Sequence, residues 1–496
     1  MSNLAENLIA AARRDHERAA LKLDDAVLSY AALDDASARA AALLRERGVA
    51  TGDRVGLMLP NVPEFAIAYY GILRAGATVV PMNVLFRRRE VAFLLADSQA
   101  ELLLVWHGFA DEAQEAAAEA GIECVVVAPG VLEQPQPLAG AVAREPADTA
   151  VILYTSGTTG TPKGAELTHA NLGRNAEIAV DLFSLEPGSV ILGSLPLFHS
   201  FGQTCTLNAA VLAGASTTLL PRFDPGRALE IVERDRVSVF MGVPTMYNAL
   251  LHHPERERFD ASSLQRCVSG GASLPIELRH GFEQAFGCAI LEGYGLSETS
   301  PIASFNHPDR VRKPGSIGTP VDGVEMKLVG PAGEDVPLGE VGEIVIRGHN
   351  VMKGYWGKPD ATADAISGAG WFRSGDLARM DEDGYFFIVD RLKDMIIRGG
   401  YNVYPREIEE VLYAHRAVRE AAVVGIPHPE LGEEVAAAVA LKPEAEATED
   451  ELREFVKEQV AAYKYPRLVW FVDELPKTAT GKILKRELVR QRELIS

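Results

Sequence analysis

The sequence predicts an α/β fold of more than one domain, and three observations carry that prediction. Between Leu21 and Val126, strand-like apolar runs alternate with helix-like ones, the pattern of a parallel sheet covered by helices. At 496 residues the chain is longer than one hydrophobic core usually supports. Past residue 390 the pattern becomes that of a small α+β unit, and the charge balance changes with it. The whole chain carries a net charge of −20, whereas the stretch from Arg391 onward holds 17 Lys and Arg against 19 Asp and Glu. The tail is therefore nearly neutral, and −18 falls on the first 390 residues. The expected division is 1–390 and 391–496.

In chain order, Arg54–Leu59 reads as a strand, Val62–Ala75 as a helix, and Thr78–Pro81 and Glu101–Val105 as strands, with a loop at Pro129–Gln136. Ala150–Leu153 is a buried strand. It leads into Tyr154-Thr155-Ser156-Gly157-Thr158-Thr159-Gly160-Thr161-Pro162-Lys163-Gly164. Gly157 and Gly160 can take the positive φ that turns successive amides toward one point, the four hydroxyls between Thr155 and Thr159 add donors, and Lys163 adds a cation. Such a loop suits a polyphosphate. It is not a Walker loop, because Pro162 and Gly164 stand where that pattern needs glycine and a metal-binding hydroxyl. Any metal ligand must come from elsewhere.

Thr168 is placed to cap the next helix. Val190–Leu197 reads as a strand running into Phe198-His199-Ser200-Phe201-Gly202, and Phe240–Met246 and Ser269–Pro275 as strand ends followed by turns. Val321–Ile346 reads as a separate antiparallel β unit, punctuated by Gly330-Pro331-Ala332-Gly333. In the tail, Glu407–Tyr413 and Glu449–Val460 are expected helices, and Ala421–Gly425 and Val435–Leu441 expected strands.

Composition removes several classes of function. A charge of −20 argues against nucleic acid or an anionic membrane as the main partner. Cys124, Cys205, Cys267 and Cys288 are far apart and lack zinc spacing, and His252-His253 has no partners at metal spacing. No apolar run reaches the length of a membrane span, and the N-terminus has no signal core, so a cytoplasmic protein with reduced thiols is expected.

The loop at 154–164 resembles the phosphate loop of the acyl-adenylate-forming superfamily of acyl-CoA synthetases, luciferases and peptide-synthetase adenylation domains. Further motifs follow in that family's order at Leu195–Gly202, Gly293–Thr299, Ser374–Leu377, Asp390–Glu409 and Pro476–Arg486. The resemblance is strongest to fatty acyl-CoA ligases and covers nearly the whole chain. It implies a large N-terminal domain of helix-covered sheets with a β subdomain, and a small mobile α+β lid.

The implied substrates are ATP and a carboxylic acid, with Mg2+ as the metal and CoA, or the phosphopantetheine of an acyl carrier protein, as the acceptor thiol. Thr155, Ser156, Gly157, Thr158, Thr159, Gly160, Lys163 and Ser297 would grip the phosphates. Gly271, Ala272, Ser273, Glu292, Gly293, Tyr294 and Gly295 would surround the adenosine, with Tyr294 stacked on adenine. Glu298 would be the magnesium ligand and a catalytic residue, Asp376 and Arg391 would bind the ribose, and Asn402 would touch the adenylate. Lys393 matches the hinge, and Lys482 the catalytic lysine.

His199 matches a gating histidine between acyl pocket and nucleotide, and is carried over as catalytic. Phe201, Cys205, Met241, Val243 and Gly271 would complete an apolar acyl pocket. Those apolar walls favour a medium- or long-chain fatty acid. Ser189–Phe223 contains no Asp or Glu, so a free amino acid would leave its ammonium unpaired at a heavy burial cost. Arg222, Arg398, Gly399 and Gly400 would meet the thiol substrate.

Overall fold

The computed structural model describes residues 3–133, 135–155, 161–478 and 481–493, the last four of these by backbone alone. Among these residues the strands fall into four sheets. In the nine-stranded sheet, Ser216–Leu219, Val190–Gly193, Val239–Gly242, Arg266–Ser269 and Ile290–Gly295 run parallel. Every residue of Val239–Gly242 is buried, as a parallel strand covered on both faces requires. Parallel strands end on one side, so the segments after Gly193, Gly242, Ser269 and Gly295 gather at one edge, the usual place for a ligand in an open α/β sheet.

The seven-stranded sheet is built on the parallel strands Arg54–Met58, Thr78–Pro81, Ala100–Trp106 and Glu123–Val127. Thr149–Thr155 joins it beside Thr78–Pro81 and then turns back antiparallel as Lys163–Thr168. The last pair of that hairpin is Thr155 with Lys163, two of the candidates for holding phosphate. Ser156, Gly157, Thr158, Thr159 and Gly160 lie outside the described residues. Thr168 caps the following helix, accepting from the Asn171 N–H, as expected.

Two expectations need correction. The strand expected at Val190–Leu197 stops at Gly193. Pro196 has no N–H for a ladder, and its carbonyl lies where a side chain on residue 202 would go: a Cβ there would come within 2.3 Å of it, which requires Gly202. From Phe201 to Asn208 the chain is a short π-helix instead. The β unit expected at Val321–Ile346 continues to Arg391 as a four-stranded antiparallel sheet of Val324–Val329, Gly342–Gly348, Phe372–Met380 and Phe386–Arg391. The helix Pro359–Ala365 interrupts it in sequence, which hides its second half.

From Ile396 onward a five-stranded sheet and the helices Pro405–Tyr413 and Glu449–Lys457 enclose a core of their own, with Ile408, Leu412, Val423 and Val435 fully buried. This tail touches the rest of the chain at few polar points. The Thr245 hydroxyl donates to the Gly481 carbonyl at 3.2 Å, and the Ile276 N–H to Glu410 Oε2 at 3.4 Å. No helix among the described residues is long and apolar enough to cross a membrane.

Candidate active site

Two adjoining cavities lie where the parallel strands end and the tail closes over them. One, of about 710 Å³, is lined by Thr155, Lys163, His199, Phe201, Ser297 and Glu298 and reaches Lys482. The other, of about 760 Å³, takes in Ser273, Glu292, Asp376 and Asp390 at the junction with the tail. Val243 is absent from the second but borders the first. Both share Gly271, Ala272, Gly293, Tyr294, Gly295, Arg391, Lys393 and Lys482.

The glycines of the 293–295 segment are fixed by close approach. A Cβ on Gly293 would fall 2.4 Å from the Phe305 ring, and one on Gly295 only 1.6 Å from the Pro301 carbonyl oxygen. Between them the Tyr294 hydroxyl donates to Asp376 Oδ2 at 2.7 Å. Arg391 Nε sits 3.1 Å from Asp376 Oδ1. Asp376 is only 4% exposed, so both of its oxygens are engaged and aimed. The phenol of Tyr294 is thus a positioning contact on the ribose candidate.

Glu298 is also buried, yet its partners are neutral. Its Oε1 accepts from the Thr155 hydroxyl at 3.0 Å and from the Tyr355 hydroxyl at 3.2 Å. Lys163 Nζ lies 5.3 Å over the face of the Tyr355 ring, whose hydroxyl meets the carboxylate, so one phenol touches both groups. A buried carboxylate with no ion-pair partner among the described residues is a donor magnesium can use, because phosphates and waters supply the remaining oxygens. Groups of three or more His, Cys, Asp or Glu able to hold a metal alone are missing among the described residues.

The titrating groups follow from burial. His199 is pushed down to about 4, chiefly by desolvation and then by the nearby Lys482 charge, so its imidazole is neutral at physiological pH. Lys482 is lowered to about 8 by burial and by Arg391. Glu292 rises to about 7 because it is buried, with Arg406 opposing the shift; its Oε1 accepts the Leu274 N–H at 3.1 Å.

The structure does not bring every candidate here. Cys205 and Met241 are 0% exposed and line neither cavity; they pack behind the wall, where the Thr206 hydroxyl contacts Met241 Sδ at 3.8 Å. Arg222 is exposed beyond the strand Ser216–Leu219. Arg398 is tied to Glu434 through contacts of 2.5 and 2.9 Å. Gly399, Gly400 and Asn402 sit on the exposed hairpin of Ile396–Arg398 and Tyr401–Val403 and border neither cavity. Sequence reading missed Tyr355, which is 57 positions from the carboxylate it contacts and has no motif around it. It also missed Arg406, whose N–H donates to Asp390 Oδ2 at 3.1 Å and anchors the tail beside the hinge residues.

A hairpin whose closing pair, Thr155 and Lys163, reaches one cavity, a buried carboxylate braced by an arginine and a tail lysine bordering both cavities are the arrangement expected of an adenylate-forming enzyme. The chain belongs to the AMP-binding enzyme family: residues 8–356 match the family's main domain and 407–482 its C-terminal domain. It is 39% identical over 491 residues to a long-chain-fatty-acid–CoA ligase of Bacillus subtilis, covering 91% of this chain and 88% of the relative. It is 40% identical over 488 residues to a feruloyl-CoA synthase of Amycolatopsis, with 97% of each chain covered. ATP-bound MatB from Rhodopseudomonas palustris superposes at TM-score 0.92, with 33% identity and 99% of both chains covered; apo MatB, with 100% of both covered, gives 0.83. This chain is accordingly an acyl-CoA ligase that uses ATP and CoA.

Proposed function

We propose that the acid activated here is compact, a ring-sized or short-armed carboxylic acid, and that the fatty chain expected from the apolar walls is too long for the pocket. The observation that carries this is the lining of the 710 Å³ cavity: Phe201 borders it, whereas Cys205 and Met241, which would have to border a longer channel, are fully buried and line neither cavity. The same space must also take part of the nucleotide. The feruloyl-CoA synthase relative, matched end to end, supports the same size class.

In the first half-reaction the carboxylate attacks the α-phosphorus of ATP, and pyrophosphate leaves. Lys163 and the Thr155 hydroxyl hold the phosphates, Asp376 and Arg391 hold the ribose, and Lys482 stands against the anionic oxygens that crowd together as the bond forms. Magnesium, held by Glu298 and the phosphates, would neutralise the leaving pyrophosphate. His199, neutral and half-buried in the cavity wall, closes the passage between acid and nucleotide. The tail then turns about Lys393, Lys482 withdraws, and the CoA thiolate attacks the acyl carbonyl and expels AMP. Excluding water between these steps protects the mixed anhydride.

A second reading, a medium- or long-chain fatty acid, is favoured by the Bacillus relative. Pyrophosphate release measured with benzoate, a hydroxycinnamate, octanoate and palmitate separates the two. The compact acids should show kcat/KM at least tenfold above palmitate; the reverse order refutes the proposal.

A further inference from the structure

We propose that Glu343 is a positioning residue: together with the Ser374 hydroxyl, it holds the bulge from which Asp376 is presented to the nucleotide ribose. The inference rests on Asp376 being the ribose carboxylate. The strands Gly342–Gly348 and Phe372–Met380 pair in register at Glu343 with Leu377 and at Val345 with Arg373. Ser374, Gly375 and Asp376 therefore stand opposite Ile344 alone. That is a bulge, and bulges beside a site re-aim side chains that a regular ladder would hold elsewhere.

A bulge takes backbone groups out of the ladder, and here side chains take them up. The Gly375 N–H donates to Glu343 Oε1 at 3.1 Å, while the other carboxylate oxygen meets Arg373. The Asp376 N–H donates to Ser374 Oγ at 3.1 Å, and the Ser374 hydroxyl donates to the Ile344 carbonyl at 2.7 Å. Gly375 sits at φ +72°, in the left-handed region that favours glycine. Its carbonyl accepts the Leu392 N–H at 3.0 Å, which ties the bulge to the segment that carries Arg391 and Lys393.

Glu343 is only 7% exposed, and it borders the 710 Å³ cavity with Arg373, Ser374 and Gly375. An acid at that depth is costly unless both oxygens are engaged, and both of these are engaged by the bulged strand. Asp376 has one contact on each oxygen, from Tyr294 and from Arg391. A carboxylate offers about four lone-pair sites, so room is left for the ribose hydroxyls, in a direction that the bulge sets.

The test is the ratio of kcat/KM for ATP to that for 2′,3′-dideoxy-ATP, read by pyrophosphate release with the acid turned over fastest. The wild-type enzyme should favour ATP by about a hundredfold or more, since a site built to bind hydroxyls rejects the analogue lacking them. Glu343→Ala should bring the ratio to within about tenfold by raising KM for ATP, at unchanged KM for the acid. Glu343→Gln keeps an oxygen for the Gly375 N–H and should stay within about threefold of the wild-type ratio. Ser374→Ala, which strips the Asp376 N–H of its acceptor, should lower the ratio in the same direction, and it decides the matter if Glu343→Ala does not fold. A wild-type ratio retained in folded Glu343→Ala, or in Ser374→Ala where that variant alone folds, overturns the proposal and leaves Asp376 in its role. So does Glu343→Gln as impaired as Glu343→Ala. A wild-type ratio near one removes Asp376 from the ribose, and this proposal falls with it.

Discussion

Replacing Lys482 with alanine removes one of three cations, with Arg391 and Lys393, that line both cavities, and the size of the effect can be set from the surroundings. A unit charge about 4 Å from another at an effective dielectric near 20 is worth about 4 kcal/mol. Arg391 and Lys393 remain in the same walls and water enters the vacated space, so part of that is recovered. A loss of about 2.7 kcal/mol, a hundredfold in rate, is the expected floor for adenylate formation. Exchange of labelled pyrophosphate into ATP reports the first half-reaction; thioester formed from supplied acyl-AMP and CoA reports the second. Lys482→Ala should depress exchange by a hundredfold or more and leave thioester formation within a few-fold. Equal losses in both, at an unchanged melting temperature, would show that the lysine holds the fold or binds AMP generally.

Two further outcomes follow from the same geometry. Because burial holds Lys482 near 8, its cationic form is lost as pH rises through that value, so kcat/KM for adenylation should fall on the basic side of about pH 8; in Lys482→Arg that limb should vanish below pH 10, and an unmoved limb assigns it to another group. Glu298→Gln keeps the contacts to Thr155 and Tyr355 but loses the charge; the magnesium concentration giving half-maximal adenylation should rise about tenfold or more, whereas an unchanged requirement would remove Glu298 as the ligand.

How much of this was legible in the sequence depended on the distance over which each feature is encoded. Short parallel strands such as Arg54–Met58 announce themselves, because burial on both faces leaves a continuous apolar run. The motif residues Asp376, Arg391 and Lys482, each set in a local pattern, line one cavity. The strand overrun at Val190–Leu197 came from reading apolar residues as pleat when they serve a turn before a helix. Cys205 and Met241 failed as pocket walls because facing inward from a helix or strand does not say whether a cavity or more protein lies there. Tyr355 and the orphaned amide of Gln203 carry no local signature; only tertiary placement shows that one meets Glu298 and the other meets nothing.

That contrast between satisfied and unsatisfied groups also identifies which cation awaits the substrate. Several cations at the junction already have a carboxylate: Arg391 has Asp376 at 3.1 Å, Lys485 has Glu409 at 2.8 Å, and Arg406 lies 3.8 Å from Glu410. Lys485 is held above its ordinary value even though it is deeply buried, because Glu409 and Asp390 outweigh desolvation. Lys482, a few residues earlier in the same tail, moves the opposite way, and no ion-pair partner for it exists among the described residues. Around Lys482 desolvation and Arg391 outweigh Asp376 and Asp394, which disfavours the charged form until an anion arrives. In the proposed cycle, closing the tail therefore costs free energy until the phosphates arrive, and that cost returns when pyrophosphate departs. The same unpaired charge that assists adenylation thus weakens the closed arrangement once it is complete, which favours the turn that lets the thiol in.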